Sequence, residues 1–194
     1  MYTVLLDSSN VNLSVGIAKE NTLLKEISYE AWQRQSEFMI VELNKLLTEF
    51  NVSPKEIDSI MVSVGPGSYT GVRIAITIAK TMALACGAKV YPVSSLRIQK
   101  DGQNPSICLI NARSNRSYFG IFKDKEIILD DCIKKNDEVK EIILNNPNYS
   151  ICGNTKYLGI EGKETSVLTQ MLSLKEVIKP LDNSLSLKPV YMSD

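Results

Sequence analysis

The sequence predicts an α/β protein of two halves, each a mixed sheet with helices. Three observations carry this. The spacing of apolar residues switches between a period of two and a period near 3.6, which separates strands from helices. The order of short strands, helix and strand occurs twice along the chain. Between the two runs lies Lys100-Asp-Gly-Gln-Asn-Pro105, a polar stretch of turn formers that divides the chain into residues 1–99 and 100–194.

In the first half, Tyr2–Leu6, Val11–Ala18 and Thr22–Ser28 are β-prone runs separated by Asp-Ser-Ser-Asn and Lys-Glu-Asn, the pattern of an antiparallel meander. From Ser36 to Phe50 the period is helical: Met39, Ile40, Leu43, Leu46, Leu47 and Phe50 share a face that Glu37, Glu42, Asn44, Lys45 and Glu49 avoid. Ile57–Val64 reads as a buried strand, Gly65–Gly71 as a tight loop, Val72–Cys86 as a second helix stopped by Gly87, and Lys89–Val93 as a strand. The second half repeats the theme with strands at Ser106–Ile110, Tyr118–Lys123 and Glu126–Leu129, a helix at Asp137–Asn145, a strand at Tyr149–Cys152 and a helix within Glu164–Lys175. Neither half shows low complexity or a solenoid period.

Composition narrows the chemistry. The 194 residues are 44% apolar and carry 22 basic against 22 acidic side chains, so a core is affordable and a broad electrostatic footprint for nucleic acid is not expected, although a local basic patch is compatible with a neutral total. Histidine is absent, which removes imidazole-based triads, His-containing zinc sites and imidazole acid–base work. The four cysteines lie 20 to 24 residues apart without a C-x-x-C pair and read as buried thiols of a reducing compartment. No leader or membrane span is legible, so the expectation is a cytoplasmic protein.

Two places carry candidate chemistry. Gly65-Pro-Gly-Ser-Tyr-Thr-Gly71 joins a strand to a helix, where free N–H groups and the positive helix end can hold a phosphate or carboxylate. The candidate nucleotide- or anion-binding residues are Gly65, Gly67, Ser68, Thr70 and Gly71 of this loop, together with Asp7 and Ser8 at the end of the first strand. The spacing departs from both a P-loop and a dinucleotide fingerprint, so the alternative is a strained turn in which Ser68 or Thr70 caps the helix. Asp7 stands where actin-like ATPases and sugar kinases carry Asp-x-Gly-Thr, but Ser8-Ser9-Asn10 lacks the glycine, which favours a turn-capping carboxylate over a magnesium-water ligand. The second place is the helix Val72–Cys86, whose only polar residues are Arg73, Thr77, Lys80 and Thr81. So wide an apolar arc needs cover on more than one side. Ala75, Ala79 and Ala83 permit close approach of a neighbouring helix, and Phe38 and Val41 lie opposite the core stripe of the first helix. The helix pair is therefore either buried between the halves or a partner-binding surface, with Phe38, Val41, Arg73, Ala75, Ile76, Ala79, Lys80 and Ala83 as its candidate residues.

Val64-Gly-Pro-Gly-Ser-Tyr-Thr-Gly-Val-Arg-Ile74, preceded by Leu6-Asp7-Ser8-Ser9, resembles the TsaB (YeaZ) family. The resemblance extends through Arg34-Gln35-Ser36-Glu37, Asn111-Ala112-Arg113, Gly153 and Pro189-Val190-Tyr191. The chain departs from the family pattern in having Gln35 for a histidine, Asn111 for an aspartate and Met192 after Tyr191. The resemblance implies an actin-like, ribonuclease H-like two-lobed fold and a non-catalytic subunit, without catalytic or metal-binding residues, of the complex that places threonylcarbamoyl on the adenosine beside the anticodon of tRNAs reading ANN codons. It further implies a catalytic TsaD-like paralogue bound through the helix pair, a TsaE-like ATPase, a homodimer through the same helices, ATP or ADP only at the partner interface, indirect contact with tRNA and no membrane. The competing expectation is a small-molecule kinase or ATPase of the same fold.

Overall fold

The described residues of the computed structural model are 1–31, 33–102 and 104–192, and they form two sheets. Strands β1 (Tyr2–Asp7), β2 (Asn12–Lys19) and β3 (Thr22–Glu30) make the expected antiparallel meander. Helix α1 (Gln35–Glu49) follows, then β4 (Ile57–Ser63), α2 (Tyr69–Cys86) and β5 (Lys89–Val93); β4 lies parallel to β1 and β5 parallel to β4, giving the order β3-β2-β1-β4-β5.

Strict alternation with both faces covered explains why Val4–Leu6 of β1 and Ile60–Val62 of β4 are apolar at successive positions. Val4, Leu6, Ile60 and Val62 point to the side covered by α1 and α2, where they meet Met39, Leu43, Leu46, Val72, Ala75, Ile76, Ala79 and Ala83. Leu5 and Met61 point the other way, to Leu168, Met171, Leu172 and Leu174. Those residues belong to or follow α4 (Val167–Ser173), so the second half of the sequence returns to cover the first sheet. The chain then runs on across the same lobe: Leu181 N–H donates to the Val90 carbonyl at 2.8 Å, and Val190 N–H to the Val64 carbonyl at 2.7 Å.

The second sheet contains β6 (Ser106–Arg113), β7 (Arg116–Lys123), β8 (Glu126–Lys135) and β9 (Ser150–Gly153) in the order β8-β7-β6-β9. Helix α3 (Asn136–Asn145) covers one face, with Val139 against Ile107, Leu109, Phe119 and Ile121. Strand β8 runs six residues past the expected end at Leu129, because its ladder with β7 recruits the polar run Asp130–Lys135 whatever its β propensity.

Several local expectations are corrected. In α1, Ile40 is half-exposed and Glu42 is buried: the Tyr29 hydroxyl donates to Glu42 Oε1 at 3.1 Å and Lys45 Nζ donates to it at 3.0 Å, which satisfies the carboxylate on the helix flank. Helix α2 begins at Tyr69 rather than Val72, since Ser68 Oγ accepts the Gly71 N–H at 3.2 Å and caps the helix three residues earlier. Its far end is as expected, at Gly87 in the left-handed region (φ 73°). Of the polar stretch between the halves, Gln103 lies outside the described residues, and Lys100 is buried, its Nζ donating to Gln170 Oε1 at 2.6 Å. Burial lowers the pKa of that ammonium. The cysteines are free thiols, but only Cys108 and Cys152 are buried, whereas Cys86 and Cys132 are half-buried.

Candidate functional site

The loop between β4 and α2 is closed by the chain itself. Ser68 N–H donates to the Ser9 carbonyl at 2.7 Å, and Ser8 Oγ donates to the Gly71 carbonyl at 2.7 Å. Gly65 N–H is bonded to Ser95 Oγ at 3.1 Å, and the Gly65 carbonyl accepts Ser95 N–H at 2.8 Å. The glycines permit this contact. A Cβ at Gly67 or Gly71 would fall inside the van der Waals sphere of the Ser9 or Ser8 carbonyl oxygen, and one at Gly65 would lie 2.6 Å from the Val190 oxygen. At Gly65 and Gly67 positive φ adds a second reason for glycine.

These contacts correct the anion-site expectation. Gly65, Gly67 and Gly71 approach the Ser8–Ser9 turn, Val190 and Ser95 where a phosphate would have to lie, Ser68 is used as the helix cap, and Thr70 is exposed in the first turn of α2. Asp7 is buried at the end of β1, with Oδ1 accepting from the Ser63 hydroxyl and, at 3.1 Å, from Ser9 N–H. It therefore caps its own turn, as its missing glycine suggested. Burial pushes the Asp7 carboxyl above its usual range, against the opposing hydrogen bonds from Ser63 and Ser9. Beside it a polar cleft of about 850 Å³ separates the two sheets, lined by five carboxylates (Asp7, Glu26, Glu30, Glu161, Glu164) and two lysines (Lys156, Lys163). That balance repels a polyphosphate. Among the described residues no group of three or more Asp, Glu or Cys is placed to hold a metal ion, and no helix is long and apolar enough to cross a membrane.

The helix pair is corrected in its orientation. Ala75, Ile76, Ala79 and Ala83 are buried on the sheet side of α2, so the small-residue stripe serves packing within the chain and not a partner. Phe38 is half-buried edge-on to Tyr29, with ring centroids 6.4 Å apart, and is not a free anchor. Val41 does face outward, 46% exposed, and Ile40 joins it at 50%. On α2 the outward residues are Tyr69 (56%) and Leu84 (62%), with Arg73 and Thr77 between them and Lys80 half-buried. Sequence reasoning missed Ile40, Tyr69 and Leu84. The helical spacing of Tyr69, Arg73 and Thr77 at four-residue intervals was the available signal.

A groove of about 470 Å³ runs between the two helices, lined among others by Ser36, Ile40, Tyr69, Arg73 and Thr77. At one end the C-terminal segment adds Tyr191. Its ring stacks on Tyr69 with centroids 5.0 Å apart, the Arg73 guanidinium lies 4.0 Å over the Tyr69 ring, and Arg73 Nε donates to the Tyr191 hydroxyl at 2.6 Å. Gln35, the residue in place of histidine, is buried at the start of α1 and donates through Nε2 to the Asn10 carbonyl at 3.3 Å.

Comparison with known proteins places this geometry. A family model described as TsaD, tRNA N6-adenosine threonylcarbamoyltransferase, matches residues 29–177. The Bacillus subtilis tRNA threonylcarbamoyladenosine biosynthesis protein TsaB is 29% identical over 137 residues, covering 69% of this chain and 60% of that protein. MG208 of Mycoplasma genitalium is 30% identical over 200 residues, covering all of this chain and 95% of that one. The structure of YeaZ from Pseudomonas aeruginosa superposes with a TM-score of 0.82 at 22% identity, covering 98% and 99% of the two chains, so the fold is the actin-like one. With the signature loop, the matched span and the fold in agreement, the chain belongs to the TsaB (YeaZ) family.

Proposed function

We propose that this chain is a non-catalytic subunit of the complex that forms threonylcarbamoyladenosine beside the tRNA anticodon, and that the outward face of α1 and α2 docks on a catalytic TsaD-like paralogue. The observation that carries this reading is the self-filled loop. A kinase or ATPase of this fold needs backbone N–H groups free to meet a phosphate, whereas here Ser68 N–H and the Gly67 and Gly71 positions are taken up by the Ser8–Ser9 turn. The TsaB relatives of Bacillus subtilis and Escherichia coli, named for tRNA threonylcarbamoyladenosine biosynthesis, support the pathway. The apolar face formed by Ile40, Val41, Tyr69 and Leu84 supplies the docking surface, with Arg73 fixing orientation. In this reading a TsaE-like ATPase and, for the free protein, a second copy are further partners, any ATP or ADP is held at the partner interface rather than by this loop, and the work is done in the cytoplasm.

The test is depletion followed by nucleoside mass spectrometry. Threonylcarbamoyladenosine should disappear from the tRNAs that carry it; full modification after complete depletion, in a cell without a second copy, contradicts the role. The purified chain should also show no more than trace ATP turnover, and substantial turnover lost in Asp7→Ala would restore the kinase reading.

A further inference from the structure

Charge is distributed unevenly across the two helices that flank the groove. Each carboxylate of α1 is paired within the chain: Glu37 with Arg34 at 3.0 Å, Glu42 with Lys45 at 3.0 Å and Glu49 with Lys25 at 2.7 Å. Helix α2 carries Arg73 and Lys80 and no acidic residue, and the segment 183–192 that returns to it adds Lys188 and again no acid. Among the described residues Arg73 has no ion pair, because α1 keeps its own carboxylates and α2 has none to offer.

Arg73 is nevertheless held in one place. Its guanidinium lies 4.0 Å from the Tyr69 ring centroid and 5.7 Å from that of Tyr191. Its Nε donates to the Tyr191 hydroxyl, which leaves the terminal nitrogens of the fork as donors. Tyr191 is fixed in turn by the strap that precedes it. Leu187 is buried in the core of the first lobe, Val190 N–H donates to the Val64 carbonyl, and the Val190 carbonyl lies so close to Gly65 that a Cβ there would meet it at 2.6 Å. Aromatic faces attract a guanidinium without neutralising it. A planar fork matches the two oxygens of a carboxylate, and one whose direction is set beforehand loses little freedom on pairing.

We propose that Arg73 is the seat of a carboxylate of the docking partner, an Asp or Glu side chain that meets the α1–α2 groove at its Tyr191 end, and that the C-terminal strap aims the arginine at it. This rests on the docking role proposed above and adds the chemistry of the partner's surface, which is apolar opposite Ile40 and Val41 and acidic opposite Arg73. The two tyrosine rings wall the seat, so docking excludes water from the pair and makes it stronger than an exposed salt bridge.

The experiment is isothermal titration of the full chain with the TsaD-like protein of its own cell at several salt concentrations. Wild-type affinity should fall as salt rises. Arg73→Gln should bind about tenfold more weakly or worse, with a flatter salt dependence and an unchanged circular dichroism spectrum. Arg73→Lys keeps the charge but not the fork, so it should keep the salt dependence and recover only part of the affinity; it also serves if glutamine unsettles the tyrosine stack. Tyr191→Phe keeps the stack, removes the hydroxyl that holds Nε, and should weaken docking about threefold. Unchanged affinity in Tyr191→Phe overturns the strap's part in the seat. Wild-type affinity and salt slope in Arg73→Gln, beside a Val41→Glu protein that docks poorly, overturns the carboxylate seat and leaves the docking face standing. Undiminished affinity in both of those variants overturns the docking role and the seat with it. Weaker docking of Arg73→Gln at an unchanged salt slope also overturns the seat, since the arginine then acts by packing alone. So does binding of ATP by the chain without its partner, if Arg73→Gln abolishes it, because the fork then serves a phosphate.

Discussion

The two sides of α2 are built from one apolar sequence and do opposite things. The inner side, Gly71, Ala75, Ala79 and Ala83, is made of residues with almost no side chain and is buried. The outer side, Tyr69, Arg73, Thr77 and Leu84, carries large groups that the chain leaves in solvent apart from the Tyr191 stack. The contrast teaches that small residues here bring the helix close to its own sheet and to the Ser8–Ser9 turn, while the exposed side chains proposed for docking sit on the opposite side. Substitutions on the inner side should therefore act on folding, and those on the outer side on docking.

The largest expected effect is at Gly71. Gly71→Val would drive a branched side chain into the Ser8 carbonyl, and a loss of about 4 kcal/mol or more, measured by urea unfolding or as absence of soluble protein, is expected. Ala79→Trp comes next, because an indole has no space between α2 and Ile60 or Val62; about 3 kcal/mol should be lost and the melting temperature should drop accordingly. A folded Ala79→Trp variant that fails only in partner binding would reverse the assignment of the two sides. Tyr191→Ala removes one ring of the stack and should cost about 1 kcal/mol in stability while exposing Tyr69 further.

The smallest expected effect is a change in pH dependence at Asp7, which anchors the inner side. Its carboxyl titrates above the unfolded value of 3.8. As pH rises past that value the unfolded chain releases its proton while the folded one still holds it, so the folded state loses stability as pH rises through this window. Asp7→Asn keeps an oxygen for Ser63 and Ser9 N–H and should flatten that slope. Urea midpoints at pH 4 and pH 7 compare the two proteins, and a wild-type midpoint that rises between them relative to the variant would show that the hydrogen bonds outweigh burial.

Much of this was legible before the structure. The switch between periods two and 3.6 located all four helices and all nine strands of the described residues to within a few positions, except at the far end of β8, where pairing overrode composition. The wide apolar arc of α2 correctly signalled cover on several sides. What the sequence does not encode locally is which neighbour provides the cover. Ala75, Ala79 and Ala83 have the spacing of a helix–helix contact whether the neighbour is a sheet of the same chain or another molecule. The helical period alone turns Phe38 outward, because its partner Tyr29 lies on β3 and belongs to no periodic pattern of α1. The return of α4 and Tyr191 to the first lobe likewise depends on contacts between residues more than a hundred positions apart, and so does the stack that shapes the groove. The loop was ambiguous for a related reason: glycines that let a phosphate approach a backbone also let a carbonyl approach it.

The central claim is that the outer face of α1 and α2 docks the catalytic partner, and isothermal titration of this chain with the TsaD-like protein of its own cell tests it most directly. Val41→Glu places a charge at a half-exposed site without touching the core, so its melting curve should match wild type to within about 0.5 kcal/mol. Its affinity for the partner should fall at least tenfold, as expected when an anchor within an apolar interface is replaced by an unpaired charge. Undiminished affinity in a normally folded Val41→Glu protein, reproduced in Ile40→Glu, would contradict the account.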